Sequence, residues 1–218
     1  MALPDIVDRK SWIRAHASLV QEEKELTRRA TELAARRRRQ PMLELETGYE
    51  FDGPAGRVRL PDLFGGRSQL LLYHFWFPED GEPCTGCSMF TDQVSELAHL
   101  HARDTSLALV SRAPQDRIAP YRDRMGWQVP WYTVVGEAFQ QARGTTEYFS
   151  LDVMLRDGDR VFLTHEVRSR GVESLGSVWT FLDLTALGRQ EDWEDTPAGR
   201  PQTPKYAWWR RHDEYEAG

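Results

Sequence analysis

Apolar positions along the chain recur with two different periods, and the changes of period divide it into elements. Residues 11–39 place Trp12, Ile13, Leu19, Val20, Leu26, Ala30, Leu33 and Ala34 roughly at helical spacing among Glu22, Glu23, Lys24, Glu25, Arg28 and Arg29. That pattern predicts one long amphipathic helix. Four arginines, Arg36 to Arg39, end it where cations suit the negative pole of the helix dipole, and Pro41 stops it. They read as a solvated helix terminus, with an anion or RNA contact as the sharper alternative. Residues 48–60 carry turn residues around Asp52-Gly53-Pro54, which predicts a hairpin. Residues 69–77 are almost continuously apolar, the signature of a central strand covered on both faces.

Helical spacing resumes at residues 84–102 through Met89, Phe90, Val94, Leu97 and Ala98, and residues 106–111 form a second short buried strand. Residues 114–125 predict a helix weakened by Pro120, which removes a backbone donor. A strand entered through Pro130 follows at 129–135, then a short helix ending near Gly144. Residues 151–156 and 161–168 flank Asp157-Gly158, a strong hairpin signal. Residues 172–184 are the last helix, and from 188 onward a tail rich in proline, tryptophan and charge is expected to wrap over the surface.

The most telling count is the smallest one. Two cysteines lie in Cys84-Thr85-Gly86-Cys87, between the first buried strand and its helix. Two cysteines make neither a disulfide scaffold nor, alone, a closed structural zinc site. Alternating elements argue a parallel sheet, and the late hairpin adds antiparallel strands. With a dithiol at the first crossover helix, the expected fold is α/β, a thioredoxin-like mixed sheet flanked by helices. It divides into an N-terminal helical extension (1–47), the thioredoxin-like domain (48–187) and a C-terminal tail (188–218).

Composition narrows the function classes. The 218 residues are 40% hydrophobic and 28% charged, an ordinary globular balance. The net charge of −6 argues against general nucleic-acid binding. The longest apolar run, residues 70–77, is far short of the roughly 20 residues that span a bilayer, so no membrane partner is expected. The opening Met1-Ala2-Leu3-Pro4-Asp5 lacks the basic and apolar regions of an export signal, so the expected compartment is a reducing cytoplasm.

In that setting the pair reads first as a working dithiol. Cys84 opens a helix, where unpaired backbone N–H groups favour thiolate and mark it as the attacking sulfur; Cys87, one turn on, can resolve a mixed disulfide. Inert buried thiols and metal ligation are the competing readings. Pro130 is a candidate for the cis-proline that enters an antiparallel strand beside the dithiol in thioredoxin-like proteins, against a trans proline that merely starts a strand. Trp76 and Trp131 are candidate substrate contacts, although core packing explains such aromatics equally well. Of six histidines, His165, late in the second hairpin strand, is placed to approach Cys84, although a surface or core role is the commoner one. Two thiolates and an imidazole (Cys84, Cys87, His165) would suit Cu(I). His74 reads as a core residue, and Asp92 as a helix-surface carboxylate. No Walker A loop, G-x-G-x-x-G, H-E-x-x-H or G-x-S-x-G motif is present.

Several blocks carry a resemblance: Glu22-Glu23-Lys24-Glu25-Leu26-Thr27, Leu60-Pro61-Asp62-Leu63-Phe64, Tyr73-His74-Phe75, Cys84-Thr85-Gly86-Cys87-Ser88, Ser111-Arg112-Ala113-Pro114, Tyr121 with Arg124-Met125-Gly126-Trp127, and Arg210-Arg211-His212-Asp213-Glu214-Tyr215. Along almost the entire chain they resemble a bacterial family of unknown function described as predicted thioredoxin-like dithiol-disulfide oxidoreductases. The resemblance implies a thioredoxin-like fold, with Cys84 and Cys87 at the family's CxGC. The family tends to have His at Leu163 and Tyr at His165, two positions expected on one strand face. Residues 137–149 also match poorly.

Two functions from different classes follow. The first is a cytosolic thiol-disulfide oxidoreductase needing no cofactor. It acts on a small-molecule or protein disulfide, is recycled by a cellular thiol reductant, and has Pro130 shaping the groove. The alternative is a copper protein using Cys84, Cys87 and His165 to oxidise a small aromatic substrate with oxygen. A non-catalytic thioredoxin-like binding module is a third reading. The long N-terminal helix could pack on a second subunit, which makes a homodimer an expectation.

Overall fold

A computed structural model describes residues 5–94, 96–144 and 148–215. Residues 1–4, read above for an export signal, and 145–147 of the divergent stretch lie outside the described residues. The elements are helix α1 (Arg9–Arg37), strands β1 (Leu43–Leu45), β2 (Glu50–Gly53) and β3 (Gly56–Arg59), a 3-10 turn (Leu60–Phe64), β4 (Gln69–His74), α2 (Thr85–Asp92), α3 (Ala98–His101), β5 (Thr105–Ser111), α4 (Gln115–Arg124), β6 (Trp131–Val134), α5 (Ala138–Arg143), β7 (Ser150–Asp157), β8 (Arg160–Arg168), α6 (Arg170–Glu173) and α7 (Ser177–Asp183).

One sheet has the order β1-β8-β7-β4-β5-β6-β2-β3. β4 pairs parallel with β5 and antiparallel with β7, β5 pairs parallel with β6, and β8 pairs antiparallel with β7. The run β5-β4-β7-β8, with α2 crossing between β4 and β5, is the expected thioredoxin-like arrangement. β1, from the stretch before residue 48, joins the same sheet against β8. Two expected helices are broken. The 84–102 stretch divides into α2 and α3, and the 172–184 stretch divides into α6 and α7 at Gly176, where an added Cβ would lie 2.3 Å from the Trp179 ring. Pro120 sits inside α4 without ending it.

Residues of β4 alternate between two cores, as the period of a strand requires. Leu70 and Leu72 pack with Phe51, Leu60, Phe64 and Phe139 on one face. Tyr73 and, just beyond the strand, Phe75 pack with Phe90, Cys87 and Trp131 on the other. His74 points to the first face, where the ring stacks on Phe139 and Nε2 meets Asp152 Oδ2 at 3.0 Å. Arg143 holds the same carboxylate through Nε, at 2.5 Å, and through its terminal nitrogen, at 2.8 Å. All three side chains are fully buried. Burial alone would raise the Asp152 pKa, but His74 and Arg143 outweigh it and bring it down to about 2. Burial lowers the His74 pKa, opposed by the Asp152 carboxylate, and Arg143 is the permanent cation facing that carboxylate.

A β-bulge between Val153 and Met154 pairs Val153 with His165 and Met154 with Leu163. The extra residue, Thr164, reverses the alternation. Leu163 therefore packs on the Leu70 face while His165 opens on the opposite one, so the two positions do not share a face as their spacing suggested.

Replacing Asp152 with Asn keeps the shape and removes the charge, leaving Arg143 buried against a neutral amide. Urea unfolding of Asp152→Asn is expected to show a loss of about 3–5 kcal/mol. Because folding lowers this pKa from the usual 3.8 to about 2, the carboxylate's contribution in the parent protein is complete above pH 4–5 and fades as pH falls through 2. The difference between parent and variant should shrink over that acid range.

Candidate functional site

The dithiol lies where β4 ends. The chain leaves the strand at His74, turns through residues 76–83 and starts α2 at Thr85. Cys84 is the N-cap of that helix, in an extended backbone conformation, and its sulfur accepts the N–H of Cys87 at 3.3 Å. The Cys84 N–H donates to Trp76 O at 2.9 Å, and the Trp76 N–H approaches the Cys87 sulfur at 3.4 Å. The loop and the helix start are thereby tied to each other through both cysteines. Both are free thiols; Cys84 is half-buried and Cys87 fully buried.

This geometry separates the two thiols chemically. The hydrogen bond from the Cys87 side chain is the largest influence on Cys84 and stabilises its thiolate. Burial opposes it, and the N–H groups of Cys87 and Gly86 with the charge of Arg211 add to the lowering. Its pKa falls from 9.0 to about 6. Burial pushes the Cys87 thiol well up, and the neighbouring Cys84 charge pushes it further. Cys84 is thus the more acidic of the two thiols, with Cys87 buried behind it.

Four residues that the sequence reading did not place here complete the surroundings. Tyr73, fully buried, stacks on Phe90 at 4.2 Å with its hydroxyl facing the Cys87 thiol; burial raises its pKa and Cys87 raises it further. Phe149 enters β7 with φ of 57°, a conformation uncommon outside glycine. Its N–H donates to His74 O at 2.9 Å, and its carbonyl accepts from Ser169 N at 3.0 Å. Trp209, from the tail, packs on Phe149 and Trp179, and an added Cβ at Gly86 would lie 2.3 Å from its ring. Only glycine allows that approach. Arg211 reaches Pro83 O at 3.0 Å and the Tyr121 hydroxyl at 3.1 Å, and that hydroxyl pairs with Ser88 Oγ at 2.8 Å.

The tail is locked in this position. Arg124 forks onto Asp213 at 2.7 and 2.9 Å, and His212 Nδ1 meets Asp92 Oδ1 at 2.7 Å. The same Asp92 oxygen accepts Trp127 Nε1 at 2.8 Å, so this residue is a tail anchor rather than a free surface carboxylate. Buried Glu191 accepts Trp208 Nε1 at 2.8 Å and the Tyr206 N–H at 2.9 Å. The Arg210–Tyr215 block was visible as a motif, but only folding shows that it belongs to the dithiol.

Three sequence candidates fall elsewhere. Pro130 has a trans peptide bond and leads into β6, a parallel strand separated from β4 by β5. The residue entering the antiparallel neighbour of β4 is Phe149, so Pro130 does not pack beside the cysteines. Trp131 is fully buried among Phe75, Phe77 and Trp127, with Nε1 donating to Ser111 Oγ at 3.0 Å, and belongs to the core. His165 lies level with Val153 and Leu71, three residues back from the end of β4 and two strands across. That is about 10 Å in each direction. Among the described residues no three of His, Cys, Asp and Glu are grouped to hold a metal ion, and the structure does not bring His165 together with Cys84 and Cys87. Trp76 is 46% exposed, packs edge-on against Tyr148 at 4.9 Å, and remains beside the dithiol.

Alkylation of Cys84 by iodoacetamide is expected to rise with pH and level off above a midpoint of about 6, while Cys87 stays unmodified in the native protein. Arg211→Ala should move that midpoint upward, and Arg211→Lys should restore part of the shift. An unmoved midpoint in Arg211→Ala would mean that the tail contributes no charge to the thiolate.

No helix of the described residues is long and apolar enough to cross a membrane. No curated protein matches the chain. Among solved structures it is similar to peroxidoxin BcpB from Mycobacterium tuberculosis, at 19% identity over 60% of this chain and 88% of that one, with a TM-score of 0.43. It is also similar to an uncharacterized thioredoxin-like protein from Porphyromonas gingivalis (16% identity, 53% and 74%, TM-score 0.38) and to thioredoxin from Wuchereria bancrofti (17% identity, 54% and 82%, TM-score 0.37). The bacterial family of unknown function DUF899 matches residues 1–215, and this chain belongs to it.

Proposed function

We propose that the protein is a thiol-disulfide oxidoreductase whose working group is the Cys84–Cys87 dithiol. The observation that carries this reading is the placement of the two thiols, Cys84 at the N-cap of α2 accepting the Cys87 N–H at 3.3 Å and Cys87 fully buried behind it; that placement brings Cys84 down to about 6 and pushes Cys87 up. A thiol with that pKa is mostly thiolate at neutral pH and is therefore the nucleophile of the pair.

The Cys84 thiolate attacks one sulfur of a substrate disulfide RS–SR, forming a Cys84–S–SR mixed disulfide and releasing RS⁻, which takes a proton. Cys87 then loses its proton and attacks the Cys84 sulfur. The Cys84–Cys87 disulfide forms, the second RS⁻ leaves, and two electrons have passed from dithiol to substrate. A thiol reductant of the cell returns the disulfide to the dithiol. Exchange of this kind needs no resident cofactor. Trp76 is the exposed aromatic side chain on the loop that carries Cys84, and supports a substrate contact there.

Reduction of a small disulfide such as hydroxyethyl disulfide, and of insulin, tests the reading with dithiothreitol as the final reductant. Cys84→Ser should abolish turnover. Cys87→Ser should stop after one step and accumulate the mixed disulfide on Cys84, visible as added mass that dithiothreitol removes. If the parent protein reduces neither substrate and its dithiol shows no defined potential against glutathione, the reading fails.

A further inference from the structure

Two large apolar surfaces lie uncovered among the described residues. The first is α1. Its 29 residues make a rod about 44 Å long, and not one of them is buried. Trp12, Leu19, Leu26 and Leu33 follow one another at intervals of seven, and all are strongly exposed; Leu26 is 69% exposed. Ile13 and Val20 flank this row. A heptad interval keeps an apolar seam facing a partner along the whole helix. Helices in water owe most of their stability to a packed apolar face, and here that face is bare.

The second surface is a groove of about 1240 Å³ on the β7–β8 half of the sheet. Leu71, Leu151, Val153 and Val167 line it from the strands, and Phe90 and Leu100 line it from α2 and α3. Leu175, 51% exposed, borders it on the far side. After β8 the chain forms only the short α6 and α7 rather than one long helix across these strands. The end of α1 also borders the groove, through Arg37 and Arg38, and Gln40 Nε2 donates to Thr164 O. From there the helix runs away from its own domain.

We propose that α1 of one copy seats its apolar row in this groove of a second copy, and reciprocally, giving a twofold dimer with exchanged helices. Overall charge favours a second copy as the occupant. Residues 9–39 hold ten basic and four acidic side chains, a net +6, while the whole chain is −6, so everything outside the helix carries −12. The attraction is that of the whole acidic domain of a second copy for the basic helix; on the groove itself Glu96 and Arg168 are both present, and Glu166 is already paired with Arg143 and Arg168. Twofold symmetry repeats the helix–groove contact. Each contact then needs only about half of the roughly 1,600 Å² of a standard interface, which a rod of this length can supply.

Light scattering on the eluting full-length protein, with sedimentation to obtain the dimer Kd, tests this. The parent should run at twice 25.2 kDa. Leu19→Asp/Leu26→Asp on the helix and, separately, Leu175→Asp on the groove border should each weaken the dimer by about tenfold or more, with far-ultraviolet circular dichroism confirming that both remain folded. Mixing the two variants should restore dimers, because one intact helix then meets one intact groove. A monomeric parent overturns the proposal. So does a dimer that the helix variant dissociates while Leu175→Asp leaves it intact, since the helices would then be pairing with each other. Failure of the mixture to recover dimers overturns reciprocal exchange as well.

Discussion

The alternation of side chains along β4 is the constraint on which the rest of the architecture depends. Tyr73 and His74 are consecutive, so they project to opposite faces of the sheet, and each face then carries a different chemistry. Tyr73 meets Phe90 and the Cys87 sulfur on the α2 side, while His74 meets Asp152 and Arg143 on the other. A slip of one residue against β7 would exchange them, putting the imidazole behind the dithiol and a phenol against a buried ion pair. The Arg143–Asp152 pair opposes that slip, because it joins α5 to β7 and leaves its charges without partners in any other register. A buried ion pair is weak evidence for net stability, but breaking one is costly, and that cost selects a single register. With the register fixed, the Phe149 N–H falls on His74 O and the end of β4 is placed for the cysteine loop.

The same principle, burial deciding which atoms can be charged, operates between the two sulfurs. Cys84 and Cys87 lie three residues apart with the same intrinsic acidity, yet one is lowered and the other raised. The helix start alone would favour both as thiolates. What separates them is that Cys84 sits at the N-cap, where backbone N–H groups and the Cys87 thiol point at its sulfur, while Cys87 is inside the apolar cluster with Tyr73 and Phe90. A negative charge on one sulfur makes a second beside it less favourable, so the asymmetry reinforces itself.

Much of this was legible before folding, and the misses have physical causes. β4, the Asp157-Gly158 hairpin and the dithiol at a helix start follow from apolar runs and turn residues, which are local signals. The breaks at Gly176 and after Asp92 come from tertiary packing, with the Trp179 ring taking the space beside the glycine. Pro130 misled because the sequence shows that a proline opens a strand but not which neighbour that strand pairs with. His165 misled because the sequence shows that its strand returns along the sheet but not its register, which leaves the residue level with Leu71, three residues short of the end of β4 and two strands across; the bulge at Thr164, which leaves little trace in a period-two pattern, separates its face from that of Leu163. The Arg143–Asp152–His74 cluster and the tail contacts join residues distant in sequence, or residues whose types are common on surfaces, so periodicity carried no sign of them.

The tail shows why composition was a poor guide to its role. From residue 188 it reads as a surface wrapping, yet Trp193 and Trp208 are held by the buried Glu191 and the Trp209 ring lies on the glycine of the CxxC itself. Two anchoring layers explain how an irregular segment keeps that position. Glu191 and Glu173 collect indole, phenol and backbone donors at one end, and Asp213 and His212 fasten the other to Arg124 and Asp92. Between these anchors, Trp209 and Arg211 are held against α2 without regular secondary structure of their own. Gly86 is therefore required twice over, because its backbone N–H helps stabilise the Cys84 thiolate and its missing side chain admits Trp209. A larger residue there would displace the ring and, with it, the segment that brings Arg211 to the thiolate. The dithiol and the tail are thus one site, built from ends of the sequence more than a hundred residues apart.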